Sequence, residues 1–358
     1  MGLSVAIELK EHYPKASVLV LERGLLPTGA STRNAGFACM GSATELLDDL
    51  QYMSEQEVAG LFKARKKGLE RLRSKLGDNK IGYRENGGYE LISDKEAGAL
   101  DKLDYLNKLL LPVTGQKAFK PASEKIKEFG FSGQYSKALI ENTCEGELNA
   151  GMMMRALMDM ALLHGVEVKT GAEVLGFEEG GKEVFVKVKD PFRQEVWLLN
   201  CNTFSICTNA FAGQLLPDAD VTPGRGQVLI THPVPGLKFK GIFHFDKGYY
   251  YFREIDGRVL FGGGRNLDME TETTTDISLN KLIQVDLEQK LADIILPGIN
   301  FEIAQRWAGI MAFGASKYPI VKAFSRRVFG AFRMGGMGVA LGSETAAQLS
   351  MLIAKNEY

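Results

Sequence analysis

The chain has little of what would mark most alternative functions. Its 358 residues include only four cysteines and four histidines. Cys39, Cys144, Cys201 and Cys207 form no C-x-x-C pair, and His12, His164, His232 and His244 are widely scattered. That spacing argues against a structural metal or a disulfide framework. There is no basic block and the formal net charge is −1, so the electrostatic footprint of a nucleic-acid binder is missing. The densest cationic cluster, Lys63-Ala-Arg-Lys-Lys67, reads as a solvated helix face. No apolar run approaches the roughly 18 residues that span a bilayer, and no charged start leads into an apolar signal core. A cytoplasmic protein without a transmembrane segment is expected.

What is abundant is glycine. Its 40 residues exceed an average usage of about 7%, and part of the excess sits in Gly262-Gly-Gly264 and in the loop from Gly335. There the backbone must turn sharply or approach a ligand. Apolar residues at 45% and charged residues at 24% are the balance of an ordinary globular protein. The length allows one large or two medium domains, at about 100 to 200 residues each.

The first residues carry the best functional clue. Leu3, Val5, Ala6, Ile7 and Leu9 give a helix with an apolar face that Pro14 stops, and the β-rich run Val18 to Leu21 ends in an acid. Glu22 lies twenty residues after Gly2, the offset at which a carboxylate meets a nucleotide ribose. This is the first helix and second strand of a dinucleotide-binding unit. Its first strand is missing, and so are the two glycines that bend the chain around a pyrophosphate. The favoured reading makes Met1 an internal methionine of a longer chain, with an apolar strand ending in Gly-x-Gly ahead of it. A real loss would instead leave a cofactor-free remnant or binding protein.

Further along, residues 45 to 80 are charged and helical, Gly87 to Ser93 reads as a strand, and Asp94 to Leu111 as a helix stopped by Pro112. Leu148 to His164 is a second strong helix, followed by strands from Val166 to Thr208. Gly226 to Arg265 is strand-rich again, with the aromatic block Tyr249-Tyr-Tyr-Phe252. Helical sequence from Ile277 to Ile295, strands to Arg333 and a closing helix from about Ser343 complete the chain.

Gly2 to Ala6, Leu21-Glu22-Arg23-Gly24, Gly29 to Gly36, Thr208 to Ala212, Trp307-Ala308-Gly309 and Gly335 to Gly342 resemble segments of the FAD-dependent D-amino-acid oxidase and glycine oxidase superfamily. They occur in that family's order and span nearly the whole chain. The resemblance implies an α/β fold in which a Rossmann-like FAD-binding domain, its first strand missing, is interleaved with an α+β substrate domain on a mixed sheet. The boundaries expected are 1–50, 146–225 and 306–358 for the first, and 51–145 and 226–305 for the second.

The resemblance also assigns residues. Gly2, Glu22, Arg23, Ser31, Thr32, Arg33, Asn34 and Gly36 are expected at the cofactor, with Val174 beside adenine and Thr208, Asn209 and Ala210 where a second strand block meets it. Gly335, Gly336, Met337, Gly338 and Val339 precede the last helix, whose N-terminus favours negative charge at the flavin pyrimidine. That loop contains no cysteine, so FAD is expected to be noncovalent. Tyr249, Tyr251 and Arg253 alternate and so share one strand face. Tyr251, Arg253 and Met311 are the expected catalytic group.

Many relatives that oxidise amino acids continue Trp-Ala-Gly-Leu with an arginine that grips the substrate carboxylate. Met311 stands there in this chain. An amino-acid substrate then needs Arg253, Arg265, Arg306 or Arg333 to supply the charge, and an amine or modified amine becomes an option. The expected reaction is hydride transfer from a small amine or amino acid to flavin N5, with hydrolysis of the imine. Oxidation of a hydroxy acid is the rival on the same scaffold. Oxygen, a quinone or another protein is the expected acceptor.

Overall fold

Strands whose side chains alternate between two faces build the largest element. It is an eight-stranded sheet in the order Ile303–Phe313, Thr222–Thr231, Arg258–Gly263, Tyr250–Ile255, Ile242–Phe245, Gly88–Ile92, Ala138–Asn142 and Phe119–Pro121. The sheet is mixed, because Ile242–Phe245 runs parallel to Gly88–Ile92 while the other neighbours are antiparallel. This is a computed structural model of the chain, and it describes residues 1–193 and 195–356. Gln194, Glu357 and Tyr358, which fall in the segments expected to hold the nucleotide, lie outside the described residues.

The two faces of the sheet differ in kind. One carries Phe243, Phe245, Tyr250, Phe252 and Phe261 against Ile283, Leu287, Leu291 and Ile295 of the helical segment Lys281–Ile295. Phe243 stacks on Phe252 at 4.7 Å between ring centroids and Phe245 on Tyr250 at 4.9 Å. Such pairs add about 0.5–1.5 kcal/mol each beyond their burial, so this backing is stiff. On the other face His244 opposes Tyr251, Tyr251 opposes Gly262, Val228 opposes both Gly262 and Trp307, and Gly224 opposes Met311. Glycines there leave room that the aromatic backing has no need to fill.

The half expected to hold the nucleotide is built differently. Helix Gly2–His12 buries Leu3, Val5, Ala6 and Ile7. Leu19–Leu21 pairs in parallel with Glu167–Lys169, and Phe204–Ile206 in parallel with Val328–Phe332. Among the described residues these two pieces share no ladder. A Cβ on Gly2 would lie 3.6 Å from Val20 and 4.0 Å from Cys207, so the start of the first helix touches both pieces.

Some sequence expectations need correction. The helix expected to stop at Pro112 runs on as Leu103–Thr114 and ends at Gly115, whose φ is 69°. Proline removes one hydrogen bond there, but Leu103, Leu106 and Leu110 are buried and hold the final turn down. The helix expected from Ile277 begins at Lys281, where the Asn280 side chain accepts from the Leu282 N–H. The last helix starts at Gly338 rather than near Ser343. Lys63-Ala-Arg-Lys-Lys67 is not wholly a solvated face. Arg65 shares the buried stripe of helix Glu55–Leu76 with Leu61, Phe62, Leu69 and Leu72. No helix among the described residues is long and apolar enough to cross a membrane.

Candidate active site

Between the nucleotide half and the glycine-bearing face of the sheet lies a cleft of about 2200 Å³. Pockets for single small ligands run to roughly 300–1,000 Å³, so this cleft has room for a dinucleotide and a small substrate together. Its wall includes every residue expected at the cofactor except Gly36, and it includes Tyr251 and Met311 but not Arg253.

Glu22 follows the strand Leu19–Leu21, and its Oε1 accepts the Gly24 N–H at 2.9 Å. The Arg23 guanidinium lies 3.8 Å from the Phe211 ring centroid. The polar side chains of the next loop mostly serve the loop itself. Thr32 donates to the Pro27 and Gly29 carbonyls, and Asn34 donates to Ala30 and Ser31 while its Oδ1 accepts from Gly36. Arg33 donates to Thr28 and, across the cleft, to Ala308. Trp307 returns a bond to the Arg33 carbonyl at 3.0 Å. The cluster thus fixes the loop's shape and ties it to the sheet, leaving backbone and small residues facing the cleft.

Arg253 departs from the substrate role expected of it. Its Nη1 donates to the carbonyls of Gly36 and Leu148 at 3.2 and 2.8 Å, and Nη2 lies 3.5 Å from Glu147. Strand alternation does put it on the same face as Tyr251. Two residues further along, however, that face meets the loop instead of open space. Gly36 lies beneath it with φ of 75°, and a Cβ there would come within 2.1 Å of the Leu148 carbonyl.

The C-terminal loop is held by Asn209, whose Oδ1 accepts the N–H groups of Arg333 and Met334 at 3.0 and 3.2 Å. Gly335 and Gly336 have φ of 55° and 80°. A Cβ on Gly336 would stand 3.3 Å from the Met311 sulfur, so glycine is what lets this backbone approach the strand. Helix Gly338–Asn356 then begins in the cleft wall, presenting its unpaired N–H groups and partial positive charge.

At the opposite wall, burial pushes the Tyr251 phenol up to about 12, keeping it protonated. His244 sits edge-on to Phe37 at 5.2 Å, and Tyr251 does so at 5.5 Å. Burial drives His244 down to about 4 against the weaker pull of Glu45, so the ring is neutral, and its Nε2 has no hydrogen-bond partner. A charged group closes this end. Lys317 lies 2.6 Å from Asp49 and 3.1 Å from Glu45. Arg65 donates to the Met40 carbonyl at 2.6 Å and lies 3.5 Å from Glu45. Burial raises the Glu45 carboxyl, but the charges of Arg65 and Lys317 outweigh it and hold the group below its ordinary value.

His244, Glu45, Arg65 and Lys317 escaped the sequence reading. His244 had a signal, being the one polar residue in Ile242–Phe245. The Glu45–Lys317 contact joins residues far apart in the chain and left none.

The residues present fit a flavin dinucleotide. A strand-end acid, a tied small-residue loop, a glycine pair and a helix start converge on one cleft, and no group of metal-ligating side chains occurs among the described residues. The model of the DAO family, FAD dependent oxidoreductase, matches residues 1–352, and the chain belongs to that family of FAD-dependent oxidoreductases.

Solved structures share its fold. Glycine oxidase from Bacillus cereus ATCC 14579 is similar at 18% identity, over 99% of this chain and 92% of that one, with a TM-score of 0.77. L-proline dehydrogenase from P. horikoshii is similar at 18% identity, over 99% and 90%, with a TM-score of 0.76. Iminodiacetate oxidase from Chelativorans sp. BNC1 stands at 17% identity, over 99% and 92%, with a TM-score of 0.76. At these identities the likeness establishes a shared fold. No curated protein sequence matches the chain.

Proposed function

We propose that the protein oxidises the carbon–nitrogen bond of a small amine or amino acid, using noncovalently held FAD. Bound in the cleft, FAD supplies the two-electron acceptor: the substrate gives up a hydride and a proton, and water converts the resulting imine to a carbonyl compound and free ammonia or amine. The observation that carries this reading is that Tyr251, His244 and Met311 line one cleft with the Gly335–Gly336 backbone, which approaches the Met311 sulfur. The phenol is protonated and the imidazole neutral, so no charged base stands among these three. This suits a substrate nitrogen that enters neutral. The residues orient that nitrogen and exclude water.

The cleft thiols support noncovalent binding. Cys39, Cys201 and Cys207 line the cleft, and burial raises each of them, Cys39 most strongly. A protonated thiol is a poor nucleophile. The four free cysteines also fit a reducing, cytosolic setting. Names of structural neighbours such as glycine oxidase and iminodiacetate oxidase point toward small amino acids and amines.

The test is nitrogen release. Protein reconstituted with FAD is incubated with a panel of small amines, amino acids and hydroxy acids, and ammonia or amine is measured alongside the carbonyl product. Equal amounts of nitrogen and carbonyl product support the reading. Turnover of hydroxy acids alone overturns it in favour of carbon–oxygen oxidation.

A further inference from the structure

Resting on the reading of a carbon–nitrogen oxidase, we infer that Arg265 is the anchor for a substrate carboxylate, which makes the substrate an amino acid despite Met311. Most cations near the site are already committed. Arg253 is committed to Gly36, Leu148 and Glu147. Arg306 bonds Gln284 and pairs with Glu288 at 2.9 Å. Arg333 is held by Asp220 and by the Tyr318 carbonyl. Among cleft cations at the substrate end, Arg65 and Lys317 already serve Glu45 and Asp49.

Arg265 differs from all of these. It lines the cleft with its guanidinium 4.2 Å from the Phe313 ring; among the described residues it has no side-chain hydrogen bond or ion pair, and Tyr249 and Glu272 act on it only through space. Its Nε is buried without a hydrogen-bond partner. A guanidinium offers five donors in a planar fork, and leaving the buried Nε donor unmatched beside an aromatic face is costly unless a ligand completes it. Carboxylate is the group whose two oxygens match that fork.

Its position is also apt. A Cβ on Gly224 would lie 2.9 Å from the Arg265 guanidinium carbon, so the charge rests directly on Gly224. Gly224 is the in-register partner of Met311 on the adjacent strand. Neighbouring strands are about 4.8 Å apart. The positive charge missing from position 311 is therefore supplied one strand over, on the same rung and the same face, by a side chain arriving from beyond the glycine run Gly262–Gly264. Phe313, two residues past Met311 on that face, holds the guanidinium flat.

The test reads binding apart from turnover. Equilibrium dialysis of labelled propionate and of labelled propylamine is run on the FAD-loaded protein, on Arg265→Met and on Arg265→Lys, with FAD content and thermal melting recorded for each. We expect propionate affinity to fall about tenfold or more in Arg265→Met, less in Arg265→Lys, with FAD content and propylamine binding unchanged. Undiminished propionate binding in Arg265→Met overturns the assignment, as does a wild type that binds propylamine but not propionate. Should Arg265→Met melt early, Arg265→Lys decides by itself: unchanged propionate affinity in a variant without the fork counts against the carboxylate clamp. Because dialysis needs no reaction, a protein that binds propionate through Arg265 yet releases no nitrogen would refute the parent reading while leaving the anion site standing.

Discussion

The two sides of the cleft stand on opposite terms. The eight-stranded sheet is continuous, and its far side is packed with stacked aromatics. The nucleotide half has its parallel strands in two pieces, Leu19–Leu21 with Glu167–Lys169 and Phe204–Ile206 with Val328–Phe332, both reached by the start of one helix. The sheet side of the cleft thus has its own rigid backing. The cofactor wall is shaped by ties between segments, chiefly Asn209 to the Arg333 and Met334 N–H groups and Arg253 to the Gly36 and Leu148 carbonyls. Stability should therefore be most sensitive in the first region, and cofactor affinity in the second.

The largest effect expected is on stability. Phe252, fully buried between Phe243 and Phe261, should cost about 3–5 kcal/mol on replacement by alanine, read as a shift of the denaturation midpoint. If Phe252→Ala left the midpoint in place, the backing would not be what stiffens the wall.

The next prediction sharpens the other side. Gly336→Val places a branched side chain at φ of 80° against the Met311 sulfur, and flavin fluorescence titration reads its consequence for FAD binding. Relief of that strain, about 1–3 kcal/mol, moves the loop away from Met311, which should weaken FAD binding by about tenfold or more, while strain left unrelieved lowers the melting temperature of the FAD-free protein.

The smallest effect concerns pH. Glu145 accepts the N–H groups of Met40 and Gly41, and burial raises its carboxyl from the usual range to about 8; burial raises Glu90 to about 7. A carboxyl raised on folding keeps its proton while the unfolded chain has lost it. Its contribution is therefore complete below the unfolded value, near 4.5, and is lost as pH climbs toward 8. Stability should fall as pH rises through that window. Glu145→Gln, which retains the accepting oxygen, should flatten the fall in melting temperature between pH 6 and 8; a slope equal to that of the parent would refute the assignment.

Legibility in the sequence followed the range of the interactions. The helix at Gly2, the strand at Leu19 and the acid at Glu22 were readable because periodicity, a proline and a fixed offset are local signals. The glycine loop at Gly335 was readable for the same reason. Arg253 was placed on the correct strand face, but that alternation says nothing of which segment meets the face. That the loop ending at Leu148 would claim its guanidinium is a fact of tertiary packing. Arg65 was misread because a cluster of charges hides the one member that falls on the apolar stripe. The ring of Glu45, Asp49, Arg65 and Lys317 is assembled from three distant segments, and nothing in any one of them foretold it.

The most direct test of the account is the visible absorbance spectrum of the purified protein after incubation with FAD and removal of the unbound cofactor, followed by anaerobic addition of small amino acids. The account predicts twin flavin bands that stay with the protein and bleach when a substrate is added. A protein that emerges colourless, or whose bands no amine or amino acid bleaches, would contradict it.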